Sequence, residues 1–469
     1  MRRLLTALAI AALACLVGAT PAFAHGLVGR TDLPIPQWLF AWAAAIVLVV
    51  SFLALAVLWP TPRLEGARPR RLFAIPCAVE VVCGAVGVAL FALLVYVGFA
   101  GSETPTDNAL PTFVYVLFWV GLVPLSVLLG DVFRAFSPWR AIGRAAGWTV
   151  RRVGGEAIPP PLEYPERLGR WPALVGLVAF GWLELVSTNG DDPSRLAVLA
   201  IVYSVVQLFG MSLYGVEAWA RRGDSFGVYF GMFAHMAPLT VRDRALHLRP
   251  PLSGLTELTW LPGTIVFVCA IIGITAFDGA AEGAAWASLV SPLQDAFGAL
   301  GLDARHALEA TQTVGLLLSI TLVAAIYRLG IEGMRSVAHE RTPADLARTF
   351  AHSLVPIALA YILAHYFSLL LYQGQATGYL ISDPLGDGSD LFGTAASGID
   401  YNALSATAIW YVQVACLVLG HVMALVVAHE RALVTFKEPK TAVRSQYWML
   451  AVMVGFTSLG LWLLSEANG

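Results

Sequence analysis

Charge is what this sequence has least of. Asp, Glu, Lys and Arg make up 13% of its 469 residues, where ordinary soluble domains carry about 25%. Hydrophobic residues make up 58%, and the mean hydropathy is +0.72. Too little polar surface remains to cover a water-soluble globule of this size, which excludes a soluble enzyme and a disordered chain. A net charge of −2 provides no basic field for phosphate backbones, which excludes a nucleic-acid binder. Lysine is almost absent: Lys437 and Lys440 stand alone among arginines. Cysteine is scarce too. Beyond Cys15 there are Cys77, Cys83, Cys269 and Cys416, each within an apolar segment, where they read as small hydrophobes rather than disulfide partners. No G-x-S-x-G, Walker A, H-E-x-x-H or C-x-x-C pattern occurs. The chain therefore offers no nucleophile elbow, phosphate loop or helix-borne zinc motif.

What is present is a series of long apolar runs. Arg2 and Arg3 precede a run from Leu4 to Val17, and Ala22-Phe23-Ala24 fits the small-x-small cleavage pattern. Residues 1–24 thus read as a secretory signal peptide, with His25 the first mature residue. A membrane span needs about 20 apolar residues. Ten candidates follow, at 37–59, 72–99, 111–130, 171–188, 196–219, 260–277, 308–329, 349–372, 404–429 and 447–464. The expected fold is all-α: a polytopic transmembrane helix bundle of about ten spans, one membrane domain over 25–469, with the lipid bilayer as its first partner. The connections alternate in character. The 60–71, 131–170, 220–259, 330–348 and 430–446 segments carry Arg or Lys, and the others carry Asp and Glu. The positive-inside rule assigns the basic set to the cytoplasm, and signal cleavage independently puts His25 outside. The expected location is the plasma membrane, multi-pass, with both mature termini extracytoplasmic. An apolar, aromatic stretch at 226–239, flanked by Arg221, Arg222, Arg242 and Arg244, reads as an interfacial helix at the inner face. Two long outer loops remain, 280–305 and 374–403, and the second is rich in glycine and aspartate.

Ionisable residues at bilayer depth are expensive and usually face the bundle interior. His352, His365, His421 and His429 lie on two consecutive spans. At about 1.5 Å per residue, His352 and His429 both fall near the inner boundary, His421 near the middle and His365 in the outer half. Antiparallel order then predicts that His352 and His429 share a depth on faces that meet, while His365 and His421 differ by around 10 Å. Imidazoles ligate metals, so the four are candidate ligands for a divalent metal (zinc or copper) or for haem. Hydrogen bonding between helices is the alternative. His25, as a mature N-terminus, would offer an amine and an imidazole to copper. Asp383 and Asp387 are the candidate catalytic carboxylates on the outer side. Glu80 and Glu184 are deep enough to be proton or cation sites. Glu217 is a further buried charge, and Arg328 with Glu332 forms an i,i+4 pair at a helix end. Leu122-Val123-Pro124 and Leu354-Val355-Pro356, in the third and eighth spans, suggest an inverted repeat whose two helices break at proline near the midplane.

Four stretches resemble bacterial polytopic membrane proteins of the family labelled fenitrothion hydrolase. They are HGLVGRTDLPIP from His25, the run from Trp119 through Gly130-Asp131 to Ser137-Pro138-Trp139-Arg140, the stretch from His352 to Gln375, and GHVMALVVAHERAL in the ninth span. The resemblance covers most of the mature chain. It implies a hydrolase of organophosphate triesters, a small-molecule substrate class, with metal-bound hydroxide attacking phosphorus as the natural chemistry. Two other readings stay open: a multi-span transporter or channel, and a haem- or copper-binding membrane redox or assembly protein.

Overall fold

In lipid a backbone must satisfy its own N–H and C=O groups, so long apolar runs fold as helices. The computed structural model describes residues 37–154, 161–337, 341–436 and 438–466. The expected signal peptide and His25 lie outside the described residues. In chain order the helices are α1 (Gln37–Leu58), α2 (Cys77–Ala100), α3 (Ala109–Leu129), α4 (Val132–Phe136), α5 (Pro138–Gly154), α6 (Trp171–Leu185), α7 (Pro193–Tyr214), α8 (Val216–Arg222), α9 (Ser225–Ala234), α10 (Thr264–Ala281), α11 (Ala284–Ala299), α12 (Ala304–Arg335), α13 (Pro343–Phe350), α14 (Leu354–Tyr372), α15 (Ala406–Thr435), α16 (Pro439–Ser445) and α17 (Tyr447–Glu466). Among the described residues, nine helical stretches are long and apolar enough to cross a membrane. The tenth expected span coincides with α6, which has 15 residues. The chain is an all-α polytopic bundle and an integral, multi-pass membrane protein.

The two ends of the bundle differ in charge and in how they are tied. At the arginine-rich end a three-stranded sheet joins distant segments. Its strands are β1 (Arg70–Ala74), β2 (Leu239–Arg242) and β3 (Ala245–Leu248), in the order β1-β3-β2. Asp243 and Arg244 make the β2–β3 turn with φ of 48° and 53°, the left-handed pair a tight hairpin requires. At the acidic end, Ser102 N donates to Leu385 O and Ala109 N to Pro384 O, so the 374–403 loop is docked on the α2–α3 connection. The other long loop is largely helical, and its α11 packs on α12. Among the described residues the most buried span is α10: 72% of its apolar stretch is inside protein, against 17% for α1 and α2, whose Ile46, Val57 and Val81 face outward. Small residues let the spans close up. A Cβ on Gly420 would overlap Ala360 Cβ, so α15 sits directly on α14.

Both prolines of the repeated Leu-Val-Pro motif follow a break. Upstream of Pro124 the third span is wound as a π-helix over Phe113–Gly121. Upstream of Pro356 there is a 3₁₀ turn at Ala351–Ser353. The repair is the same in each. Proline has no N–H for the carbonyl four residues back. Leu122 N turns to Val120 O, and Leu354 N to His352 O. The π-wound stretch covers the acidic half and middle of α3, but both prolines lie toward the arginine-rich end: Pro124 is near the end of α3, and Pro356 is at the start of α14. An inversion would have put them in opposite halves.

The stretch expected as an interfacial helix is α9, and it is packed inside the bundle. Gly215, at φ 84°, turns the chain after α7. The next residues then climb back along α7. Trp219 lies over Gly210 and donates to Gln207 Oε1 at 2.8 Å, and Asp224 accepts from Tyr203, halfway along α7, at 2.7 Å. From there α9 descends. Phe226 packs on Tyr203 and Phe180, and Phe230 on Phe133. The carbonyl of Leu239 ends beside Gly130 at the arginine-rich end. α8 and α9 are therefore a re-entrant hairpin. The sequence SFGVYFGMFA is apolar on every face, and such a helix is stable only when surrounded. An amphipathic helix at this end is α5, with Ala146, Val150 and Val153 across from Arg140, Arg144 and Arg151.

Candidate functional site

The four histidines occupy separate environments. His352 is buried, donates from Nδ1 to Thr349 O at 3.0 Å and accepts from Trp260 Nε1 at 2.6 Å on Nε2. His429 is buried too, with Nε2 3.0 Å from Trp59 O and Nδ1 3.2 Å from Gln446 Oε1. The turn carrying His352 does pack on α15, which carries His429. The rings nevertheless engage different partners, His352 the segment before α10 and His429 the end of α1, and each of the four ring nitrogens lies within 3.2 Å of a protein polar atom. His421, fully buried, donates from Nδ1 to Leu417 O at 2.8 Å, and its Nε2 has no partner. Among the described residues, no three His, Cys, Asp or Glu side chains come together to hold a metal. Asp383 and Asp387 shape the acidic-end loop: Asp383 accepts from the amides of Asp387 and Gly388 at 3.0 and 2.9 Å, and Asp387 from Ser389 N at 3.0 Å.

Glu80 and Glu217 belong to one ionic network at the arginine-rich end. Arg140 donates to Glu80 Oε1 at 2.7 Å and from Nε to Glu217 Oε1 at 2.9 Å; Arg134 reaches Glu217 Oε2 at 2.6 Å, and Arg144 also pairs with Glu80. Burial works to raise the Glu217 carboxyl, but Arg134 and Arg140 outweigh it and hold it below the ordinary range. The network fastens the base of the re-entrant hairpin to α2, α4 and α5.

A second polar cluster lies in the interior, away from that network. His365 on α14 has Nε2 3.0 Å from Asp278 Oδ2 on α10. The pair is mostly buried, with side-chain exposures of 17% and 24%. Around it stand Glu184 on α6, Tyr229 on α9 and Tyr366 on α14, close enough to feel one another's charge. Glu184 Oε2 and Tyr229 OH are buried without a hydrogen-bonding partner, while the Tyr366 hydroxyl stands within reach of the Asp278 carboxylate. Beside His365 is a small apolar cavity of about 20 Å³, lined by Thr275, Gly279, Tyr361, His365, Leu417 and Gly460. That is room for about one water. The Nδ1–Cε1 edge of His365 faces Gly279 on its wall. Five side chains from four helices thus form one titratable centre, with unsatisfied oxygens and a water-sized space at its side.

Sequence reasoning found His365 and Glu184 but not their partners. Asp278 escapes the sequence reading because a sixth span at 260–277 stops one residue short of it, whereas α10 continues to Ala281. Tyr229 and Tyr366 carry no sequence signal that separates them from core aromatics. No family model matches the chain, nor does any curated protein or solved structure.

Proposed function

We propose that this protein is a proton-coupled membrane transporter, with Asp278 and His365 as its proton-binding centre. The observation that carries the reading is the 3.0 Å contact between Asp278 on α10 and His365 on α14, inside the bundle and near Glu184, whose buried Oε2 has no hydrogen-bonding partner. Ionisable groups at such depth are costly and mark proton relays in pumps and transporters. While both members are charged, the pair ties α10 to α14. A proton arriving on Asp278 cancels the carboxylate and leaves His365 without its counter-charge, so loading the proton also loosens the helix contact. Glu184, Tyr229 and Tyr366 extend the pair as further groups able to pass a proton. The proline breaks in α3 and before α14 supply backbone that bends more readily than an unbroken ladder. The arginine-rich end is the cytoplasmic one by the charge rule.

Proteoliposomes with a pH dye inside and an imposed membrane potential, challenged with a panel of small ions and solutes, test this. The wild type acidifies the lumen with at least one solute. Asp278→Asn and His365→Gln abolish that signal, and Glu184→Gln slows it, while all three elute as folded protein. No solute-dependent acidification by the wild type, or an equal signal from Asp278→Asn, removes the reading.

A second reading rests on the same pair. Asp278 holds His365 by Nε2, which turns the Nδ1 edge toward the cavity, the arrangement of a general base for water. The resemblance to fenitrothion hydrolases implies a phosphotriester substrate. Nitrocresol release from fenitrothion, lost in His365→Gln, supports hydrolysis; no release rules it out.

A further inference from the structure

Helices α6 and α10 run parallel and begin at the same point. Arg170 N, at the start of α6, donates to Pro262 O just before α10 at 2.7 Å. A Cβ on Gly263 would stand 3.1 Å from Trp171 N. Ten residues into each helix, Gly181 packs against Ile274, so the two stay in register. Neither N-terminus is capped by a side chain. Each carries about half a positive charge from its aligned peptides, and side by side these ends repel. Instead of a carboxylate, the sequence supplies another cation at this point. Arg170 is 8% exposed, and its guanidinium reaches Thr264 Oγ1, on the first residue of α10, at 3.3 Å. Its Nε has no hydrogen-bond partner. The charged side chain acting on it is Arg222, itself stacked over Tyr164.

A buried guanidinium with no counter-charge costs several kcal/mol. Trp171 N and Thr264 N are taken by Leu168 O and Leu261 O and Pro172 has no N–H, so the first-turn amides left without an intrahelical acceptor are those of Ala173, Ile265 and Val266, and they add to the imbalance. One anion answers all of it: a phosphoryl group accepts charge-assisted hydrogen bonds from the guanidinium and from free amides of a helix N-terminus. We propose that the joined N-termini of α6 and α10, with Arg170 between them, bind a phosphoryl anion. The site sits at the arginine-rich end, and Trp171 and Val266 on its rim are 44% and 36% exposed. A phospholipid headgroup and free phosphate share the required chemistry.

The full-length protein, purified and delipidated in a neutral detergent, separates these sources. Phosphatidylglycerol against phosphatidylcholine, and inorganic phosphate against chloride at matched ionic strength, are compared by native mass spectrometry and thermal midpoint. The wild type retains phosphatidylglycerol, or is stabilised by phosphate, in preference to the control. Arg170→Gln weakens that binding about tenfold or more, as expected for losing bonds between charged groups; Arg170→Lys keeps part of it. Without anion, Arg170→Gln is no less stable than the wild type, because it removes an uncompensated charge. A response to phosphatidylglycerol alone identifies a lipid headgroup, and a response to phosphate identifies a soluble anion. If neither probe acts on the wild type, or Arg170→Gln binds like the wild type, the proposal fails. Should Arg170→Gln not fold, the wild-type titration alone decides.

Discussion

Glu430 offers the sharpest test of how the arginine-rich end is held. Its carboxylate is fully buried and accepts four hydrogen bonds from one short segment. Oε1 takes Leu64 N at 2.7 Å and Glu65 N at 2.8 Å; Oε2 takes Trp59 Nε1 and Arg63 N, both at 3.0 Å. This loop therefore folds around an acceptor supplied by α15. Hydrogen bonds to charged groups contribute about 1.5–3 kcal/mol each, but donors that reach water once the acceptor is gone lose far less. Leu64 N is the buried donor, and the other three are partly open. Taking about 2 kcal/mol for Leu64 and about 0.5–1 for each of the others gives roughly 4 kcal/mol for Glu430→Ala. Glu430→Gln keeps one oxygen but turns an NH₂ toward two donors, so about half is lost, roughly 2 kcal/mol. Trypsin reads the difference, because Arg63, Arg68, Arg70 and Arg71 all lie in or beside the loop. Cleavage that samples a transiently open segment tracks its population. The rate within 63–71 should rise by at least about a hundredfold in Glu430→Ala and by roughly thirtyfold in Glu430→Gln. Rates within twofold of the wild type in both variants would refute the anchoring role.

Two further outcomes follow from packing and charge. Gly420→Ala forces a Cβ against Ala360 and to 2.9 Å from Pro356 O. Overpacking of this kind costs about 1–3 kcal/mol, so the thermal midpoint in detergent should fall, and adding Ala360→Gly should restore part of it; an unchanged midpoint would show that α14 and α15 are not in close contact there. Glu217 has its carboxyl held below the ordinary range by Arg134 and Arg140 against burial. A depressed folded pKa contributes stability above the unfolded value, about 4.3, and that stability is lost as pH falls through the folded value. Acidification below about pH 4 should therefore destabilise the wild type more steeply than Glu217→Gln, as followed by thermal unfolding, and parallel pH profiles would argue against the network.

Element identity was largely legible because one physical rule sets it. A segment of about 20 apolar residues in lipid has to satisfy its own backbone, and the ten expected runs each coincide with a helix. Element ends were less legible, and a small error had a large consequence. Placing the end of the sixth span at 277 instead of 281 turned Asp278 from an intramembrane partner of His365 into an outer loop residue. Partner choice was not legible at all. The helical rise brought His352 and His429 toward one end of the bundle. It carries no information about Trp260 or Trp59, which lie far off in sequence and take up ring nitrogens. Glu430 stands next to His429 in the sequence, yet nothing local reveals that the 63–65 amides come to it.

The re-entrant hairpin shows why hydropathy alone misreads such segments. Length and flanking arginines place 226–239 at the membrane surface, since fourteen residues are too few to cross. A surface helix, however, needs one polar face, and SFGVYFGMFA has none. Two cues inside the sequence point the other way. Gly215 permits the positive φ that reverses the chain, and Asp224, placed just before Ser225, accepts from Phe226 N at 3.1 Å to start a new helix. A short helix that begins with its own cap, follows a reversal and is apolar all round can bury its surface only by turning back into the bundle. Its descent then sets Tyr229 beside Glu184, so the hairpin that hydropathy assigns to the surface supplies a wall of the titratable centre.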